Sequence, residues 1–233
     1  MRVVACAALV VGMGASLGCE VLAGIDERTL DPSATDGLTP IPPCSPGTTD
    51  DLVDDFGDGD LNPLWRGSDI VRERDGEVRF QLSTDAQIYG DVRTFDSYDL
   101  RGCQLTLEIT AAPNYAENVL ANFGLSLRNA ADDGLNITVG ASAGQLFAIF
   151  AGGVEVSRGE GDFSLEYDRW WRIREQGGTV YFETSRNGVD WSQGHEGPSP
   201  SFIDDVEVYF WGGTIEAHPN PGEVGFDNVN LLP

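Results

Sequence analysis

The stretch VLANFGLSLR, residues 119–128, carries apolar side chains at Val119, Ala121, Phe123, Leu125 and Leu127 and polar ones at Asn122, Ser126 and Arg128. Apolar groups at every second position share one side of an extended chain, because successive side chains of a β-strand point to opposite faces. A helix would need them three and four residues apart. The stretch therefore predicts a strand with one face in a core and the other in water.

The same period recurs along the chain. Val78, Phe80 and Leu82 alternate with Arg79 and Gln81, and Leu105, Leu107 and Ile109 alternate with Gln104, Thr106 and Glu108. Leu135, Ile137 and Val139 oppose Asn136 and Thr138; Val180 and Phe182 oppose Tyr181 and Glu183; Val206, Val208 and Phe210 oppose Glu207, Tyr209 and Trp211. Asp75-Gly76, Gly152-Gly153, Gly177-Gly178 and Asn187-Gly188 separate such runs and supply the positive φ angles that tight hairpins require. No window reads as a helix longer than a turn or two. A strand with one apolar face needs a second layer to cover it, so the expected class is all-β, a two-sheet antiparallel jelly-roll sandwich. No internal repeat is evident, which argues against a propeller or a solenoid.

Ahead of this region the composition changes twice. Met1 to Gly18 has a single early charge, Arg2, followed by an apolar and small-residue run too short to span a membrane, and reads as a signal peptide. Residues 19–49 are rich in Asp, Pro, Gly, Ser and Thr and read as an extended tether, leaving 50–233 for the sandwich. Ser16-Leu17-Gly18-Cys19 resembles the lipobox of bacterial lipoproteins, although Ser16 stands where leucine is usual. The resemblance implies acylation of Cys19 and a protein held in the cell envelope by its N-terminal lipid, at the outer membrane or cell surface. The alternative is an ordinary secreted protein.

With Cys6 removed in the signal and Cys19 acylated, Cys44 and Cys103 remain. They form one possible disulfide in an oxidising compartment, the alternative being two buried thiols. Without a CxxC or a Cys/His cluster, zinc is not expected. The 38 acidic residues face 14 basic ones, all arginine, for a net charge of -24. Such a surface repels the phosphate backbone, so nucleic acid is excluded as a partner.

Three segments resemble concanavalin A-like lectin and glucanase domains. They are Asp54-Asp55-Phe56-Gly57-Asp58-Gly59 with Leu61 and Trp65, then Trp170 to Arg174 with Val180 to Ser185 and Asn187 to Trp191, and last Phe226-Asp227-Asn228-Val229. Together they span nearly all of the region from Leu52 onward. The resemblance implies the jelly roll, and a structural calcium where first and last strands meet, with Asp55, Asp58 and Asp227 as candidate ligands. A turn that favours Asp and Gly is the competing account.

Hydrolases of this fold carry alternating acidic residues on one strand, since glycoside cleavage needs two carboxyl groups roughly 5 to 9 Å apart. Glu108 stands alone on its strand, and Asp205 and Glu207 read as surface carboxylates. The expectation is therefore a non-catalytic envelope module that recognises a glycan or another surface polymer. Its alternatives are a structural or protein-interaction lipoprotein and, ranked last, a divergent polysaccharide-cleaving enzyme. Rings flanked by carboxylates, amides and arginines suit sugars, which selects Trp170, Arg172, Glu207, Tyr209, Trp211, Asn122 and Arg128 as candidate ligand residues. The other possibility is that the second sheet or a loop covers these rings.

Overall fold

The alternation at residues 119–128 becomes a nine-residue strand, Ala121–Asn129, whose Ala121, Phe123, Leu125 and Leu127 are fully buried. The computed structural model describes residues 44–233 except 46, 60, 62 and 151–153, and does not describe the side chains of 133 and 154–161. The predicted signal peptide, the lipidation site Cys19 and the tether up to residue 43 lie outside the described residues.

Among the described residues, fourteen strands form two seven-stranded sheets. Sheet I runs in the order β1 (Trp65–Gly67), β4 (Ile88–Thr94), β13 (Val206–Thr214), β6 (Ala121–Asn129), β7 (Asp132–Ser142), β8 (Gln145–Phe150), β9 (Val154–Asp162). Sheet II runs β12 (Trp191–Pro198), β11 (Thr179–Ser185), β10 (Trp170–Gln176), β5 (Gln104–Ala111), β14 (Glu223–Asp227), β3 (Glu77–Gln81), β2 (Val71–Arg74). Every strand pairing within the two sheets is antiparallel. The expected all-β, two-sheet antiparallel architecture is the observed one. Among the described residues, helical structure is limited to two three-residue 3-10 turns, Thr49–Asp51 and Tyr115–Glu117.

The inward side chains of both sheets meet in one core. Phe123 of sheet I lies parallel to Trp171 of sheet II, with centroids 5.3 Å apart, and both touch Phe163. Phe226 joins Phe123, Phe210 and Phe80, and Trp65 packs on Phe210 at 4.9 Å. Each such side chain contributes roughly 1.5–3 kcal/mol by leaving water. Of the predicted turns, Asp75-Gly76 and Gly177-Gly178 carry positive φ at both residues and Asn187-Gly188 at Gly188, while Gly152-Gly153 lies outside the described residues.

The chain ahead of the first strand is sewn to the sandwich. Cys44 and Cys103 form the predicted disulfide, with Cα atoms 5.7 Å apart. Thr48 pairs with Asp99, Thr49 Oγ1 donates to the Gln104 carbonyl at 2.8 Å, and Leu52 and Phe56 are core residues. Ordered contacts thus begin within the last residues assigned to the tether.

Sheet II closes its own outer face with ion pairs. Glu183 accepts from Arg172 at 2.6 Å and from Arg174 at 2.9 Å. Arg172 stacks on Trp191 and Arg174 on Tyr181, at 4.2 and 3.9 Å. Arg79 bridges Glu77 and Glu223, both at 2.8 Å. Charges, stems and rings are mutually engaged there, beside an open hollow of about 400 Å³ lined by Glu108, Arg169, Trp170 and Arg186.

Candidate functional site

The outer face of sheet I is built differently. Strand register places Arg66, Arg93, Tyr209, Ser126 and Thr138 in one cross-strand row. The next row holds Asp91, Trp211, Gly124, Gly140 and Phe147. Beyond it stand Tyr89, Gly213, Asn122 and Ser142, and on the other side Glu207, Arg128 and Asn136. Glycines in these rows leave room for rings to lie across the sheet. A Cβ on Gly124 would sit 2.8 Å from the Trp211 ring, and one on Gly140 would sit 2.6 Å from Phe147. The Tyr89 ring occupies the corresponding space above Gly213.

Hydrogen bonds fix these groups. The Trp211 indole N–H donates to Ser126 Oγ at 2.9 Å, and that hydroxyl lies 2.7 Å from Thr138 Oγ1. Arg93 Nη1 donates to the Tyr209 hydroxyl at 2.9 Å, which in turn donates to Glu207 Oε2 at 3.0 Å. The hydrogen bond to Tyr209 is the largest influence holding the Arg93 guanidinium above its ordinary pKa, and Asp91 and Glu207 add to it. Arg93 Nε lies 3.8 Å from Asp91, and Arg66 lies 3.7 Å from the other oxygen of Glu207. Arg128 is stacked 3.9 Å above the Tyr209 ring. Asn122 Oδ1 is buried without a hydrogen-bond partner among the described residues. Tyr89, Asp91, Arg93, Arg128, Tyr209 and Trp211 surround an open groove of about 330 Å³.

Of the candidate ligand residues, Glu207, Tyr209, Trp211, Asn122 and Arg128 are brought together on this face. Trp170 and Arg172 are not, because β10 belongs to sheet II and their side chains leave the sandwich on the opposite side. Trp170 is also buried, only 5% exposed, rather than open. Its ring is covered in part by Gly188, where an added Cβ would meet both it and Pro233. Tyr209 is buried as well, beneath the arginines, so Trp211 and the exposed Tyr89 present the accessible ring surface. Tyr89, Asp91 and Arg93 escaped the sequence reading. The signal was weak, since their inward neighbours on β4 include Gly90, which has no side chain to mark the period, and Ile88 is exposed.

The three predicted calcium ligands are divided. Asp58 adjoins Glu73, whose carboxyl is pushed above its ordinary value first by burial and then by Asp58 and Asp54. Asp55 is near Asp227, whose pKa is raised to about 6 by burial, with Glu108, Glu77 and Asp55 adding repulsion. Among the described residues no group of three or more His, Cys, Asp or Glu is arranged to hold a metal ion. The residues present do not fit the expected calcium cage.

No family model and no curated protein matches the sequence. Solved structures do resemble the fold. The β-glucanase of Bacillus licheniformis superimposes with a TM-score of 0.53 at 13% identity, covering 76% of this chain and 94% of that one. A laminarinase from a Flavobacterium species gives 0.54 at 8% identity, covering 76% and 96%. The exoplasmic/lumenal domain of VIP36, in a Ca2+-bound form, gives 0.51 at 8% identity, covering 76% and 89%. Most of the similar structures are glycoside-cleaving enzymes, which corrects the expectation of a non-catalytic recognition module and the leaning against an enzyme. Asp91 and Glu207 stand on the same outer face from the paired strands β4 and β13, two cross-strand rows apart, a placement that periodicity within one strand does not register. By its paired sheets and by these likenesses, the chain has the concanavalin-like jelly-roll fold shared by glucanases and lectin-like domains.

Proposed function

We propose that this chain cleaves glycosidic bonds in a polysaccharide laid across the outer face of sheet I. The observation that carries the reading is the groove between β4, β13 and β6, where two carboxylates, Asp91 and Glu207, flank the Arg93–Tyr209 pair beside the Trp211 ring. Sugar rings present C–H faces to aromatic surfaces and hydroxyls to polar groups. Cleavage requires one carboxyl to protonate the leaving oxygen and a second to act as base or nucleophile. Glu207, aimed by the Tyr209 hydroxyl, and Asp91 at the groove, two cross-strand rows away, are the two carboxyls on this face to which the reading assigns these roles. The Cys44–Cys103 disulfide supports action outside the cytoplasm.

The test is release of reducing ends from a panel of neutral and acidic polysaccharides, with Glu207→Gln and Asp91→Asn alongside. Loss of release by 100-fold or more in either variant, at unchanged melting temperature, is the expected result. Absence of release from every polymer, or full activity in both variants, refutes the reading.

A further inference from the structure

We infer that the polysaccharide is acidic, and that Arg128 receives the carboxylate of a uronic acid unit. The inference rests on the proposed cleavage site and specifies the class of sugar placed there. Other arginines on the face are engaged: Arg66 with Glu207, and Arg93 with Tyr209 and Asp91. On the opposite face Arg172 and Arg174 share Glu183. Arg128 meets, among the described residues, only the ring of Tyr209, 3.9 Å beneath its guanidinium carbon. Stacking immobilises the plane of the group, and among the described residues nothing takes its N–H edge. An arginine so held is organised for two parallel hydrogen bonds to a carboxylate.

The neighbouring carboxylate does not take this role. Glu207 is the cross-strand partner of Arg128, yet one of its oxygens accepts from the Tyr209 hydroxyl and the other faces Arg66. Among the described residues of these rows, Arg66, Arg93 and Arg128 outnumber Asp91 and Glu207, an excess of positive charge on a chain of net charge -24. At physiological salt, charges beyond about 8 Å are largely screened. An anionic unit seated on Arg128 therefore responds mainly to the arginines around it. A neutral glucan gains no such partner.

Affinity electrophoresis of the full chain through gels containing polygalacturonate or alginate, against the methyl-esterified forms of the same polymers, tests this. Retardation by an acidic polymer, abolished by esterification and weakened tenfold or more by Arg128→Ala, is the expected result. Arg101→Ala, which removes an arginine paired with Asp99 away from the groove, serves as the charge control and stays retarded. A thermal melt of Arg128→Ala matching that of the unmodified chain keeps the comparison valid, and Arg128→Gln substitutes if it does not. Equal retardation by the esterified polymers, wild-type retardation of the Arg128 variants, or no retardation by either acidic polymer overturns the inference. Cleavage is scored separately. Reducing ends released from laminarin alone would sustain the hydrolase and sink the uronate, whereas Arg128-dependent binding of an uncleaved acidic polymer would do the reverse.

Discussion

Phe123 of sheet I and Trp171 of sheet II stack face to face, with an interplanar angle of 6°. Both are fully buried, and each also packs on the edge of Phe163, so the three rings form a joint between the layers. Removing either large ring leaves a cavity that two paired sheets cannot fill by sliding. Phe123→Ala is expected to cost about 3–5 kcal/mol, read as a shift in the denaturant midpoint with little change in slope.

Gly124 gives a second test, on the other side of the same strand. A Cβ there would approach the Trp211 ring and the Val139 carbonyl, both at 2.8 Å, and the carbonyl belongs to the paired strand and has little freedom to move. Gly124→Ala should lower stability by about 1–3 kcal/mol and lift the indole from Ser126. Red-shifted and weakened tryptophan fluorescence, together with poorer polysaccharide turnover, is the expected signature; a wild-type melt and spectrum would show that the ring does not depend on the notch.

The Tyr209 hydroxyl joins Arg93 to Glu207. Tyr209→Phe keeps the ring on which Arg128 rests and deletes the link. Misplacing a reacting group by about 1 Å can cost a hundredfold, so kcat should fall by roughly ten- to a hundredfold while KM changes little. A purely structural role for the tyrosine predicts a lower melting temperature with kcat intact.

Asp227 provides a prediction in pH. Its folded pKa of about 6 exceeds the ordinary 3.8, so between those values the folded state holds a proton that the unfolded chain has released. The associated stability is complete below about pH 4 and is lost as pH rises through 6. Asp227→Asn should flatten that part of the profile and raise the melting temperature by a few degrees at pH 7–8. Melts across pH 4–8 in both proteins decide it, and a variant that melts lower throughout contradicts the assignment.

The disulfide closes a loop of 59 residues in sequence separation. In the chain-entropy model that restriction of the unfolded state is worth about 4 kcal/mol. The Cys44→Ser, Cys103→Ser double variant should be destabilised by an amount of that order, matched by reduction of the unmodified protein. Equal stability of the oxidised and reduced forms would leave the bond without a thermodynamic role.

How much of this was readable in the residues follows from what alternation encodes. At Leu105, Leu107 and Ile109, or Val206, Val208 and Phe210, alternation marks the core-facing side chains, all fully buried, but Thr106, Glu108 and Tyr209 between them are buried as well, so burial itself does not alternate there. The period does not say which sheet a strand joins. Alternation alone therefore places Trp170 and Trp211 in one sugar-facing set, whereas they leave the sandwich on opposite sides. β12 has no apolar alternation because it is an edge strand whose side chains are half-buried or exposed. Contacts made across paired strands, such as Arg93 with Tyr209 and Trp211 with Ser126, depend on register, which hairpin loops and bulges set and single strands do not reveal.

The bond from Cys44 to Cys103 also decides where tension enters the molecule. Cys103 immediately precedes β5, flanked in sheet II by β10 and β14. A tug on the chain ahead of Cys44 is passed through sulfur to the interior of that sheet, bypassing the short 3-10 turn and the edge strand β1. The residues between the two cysteines, the edge strand β1 among them, therefore carry none of that load while the bond is intact.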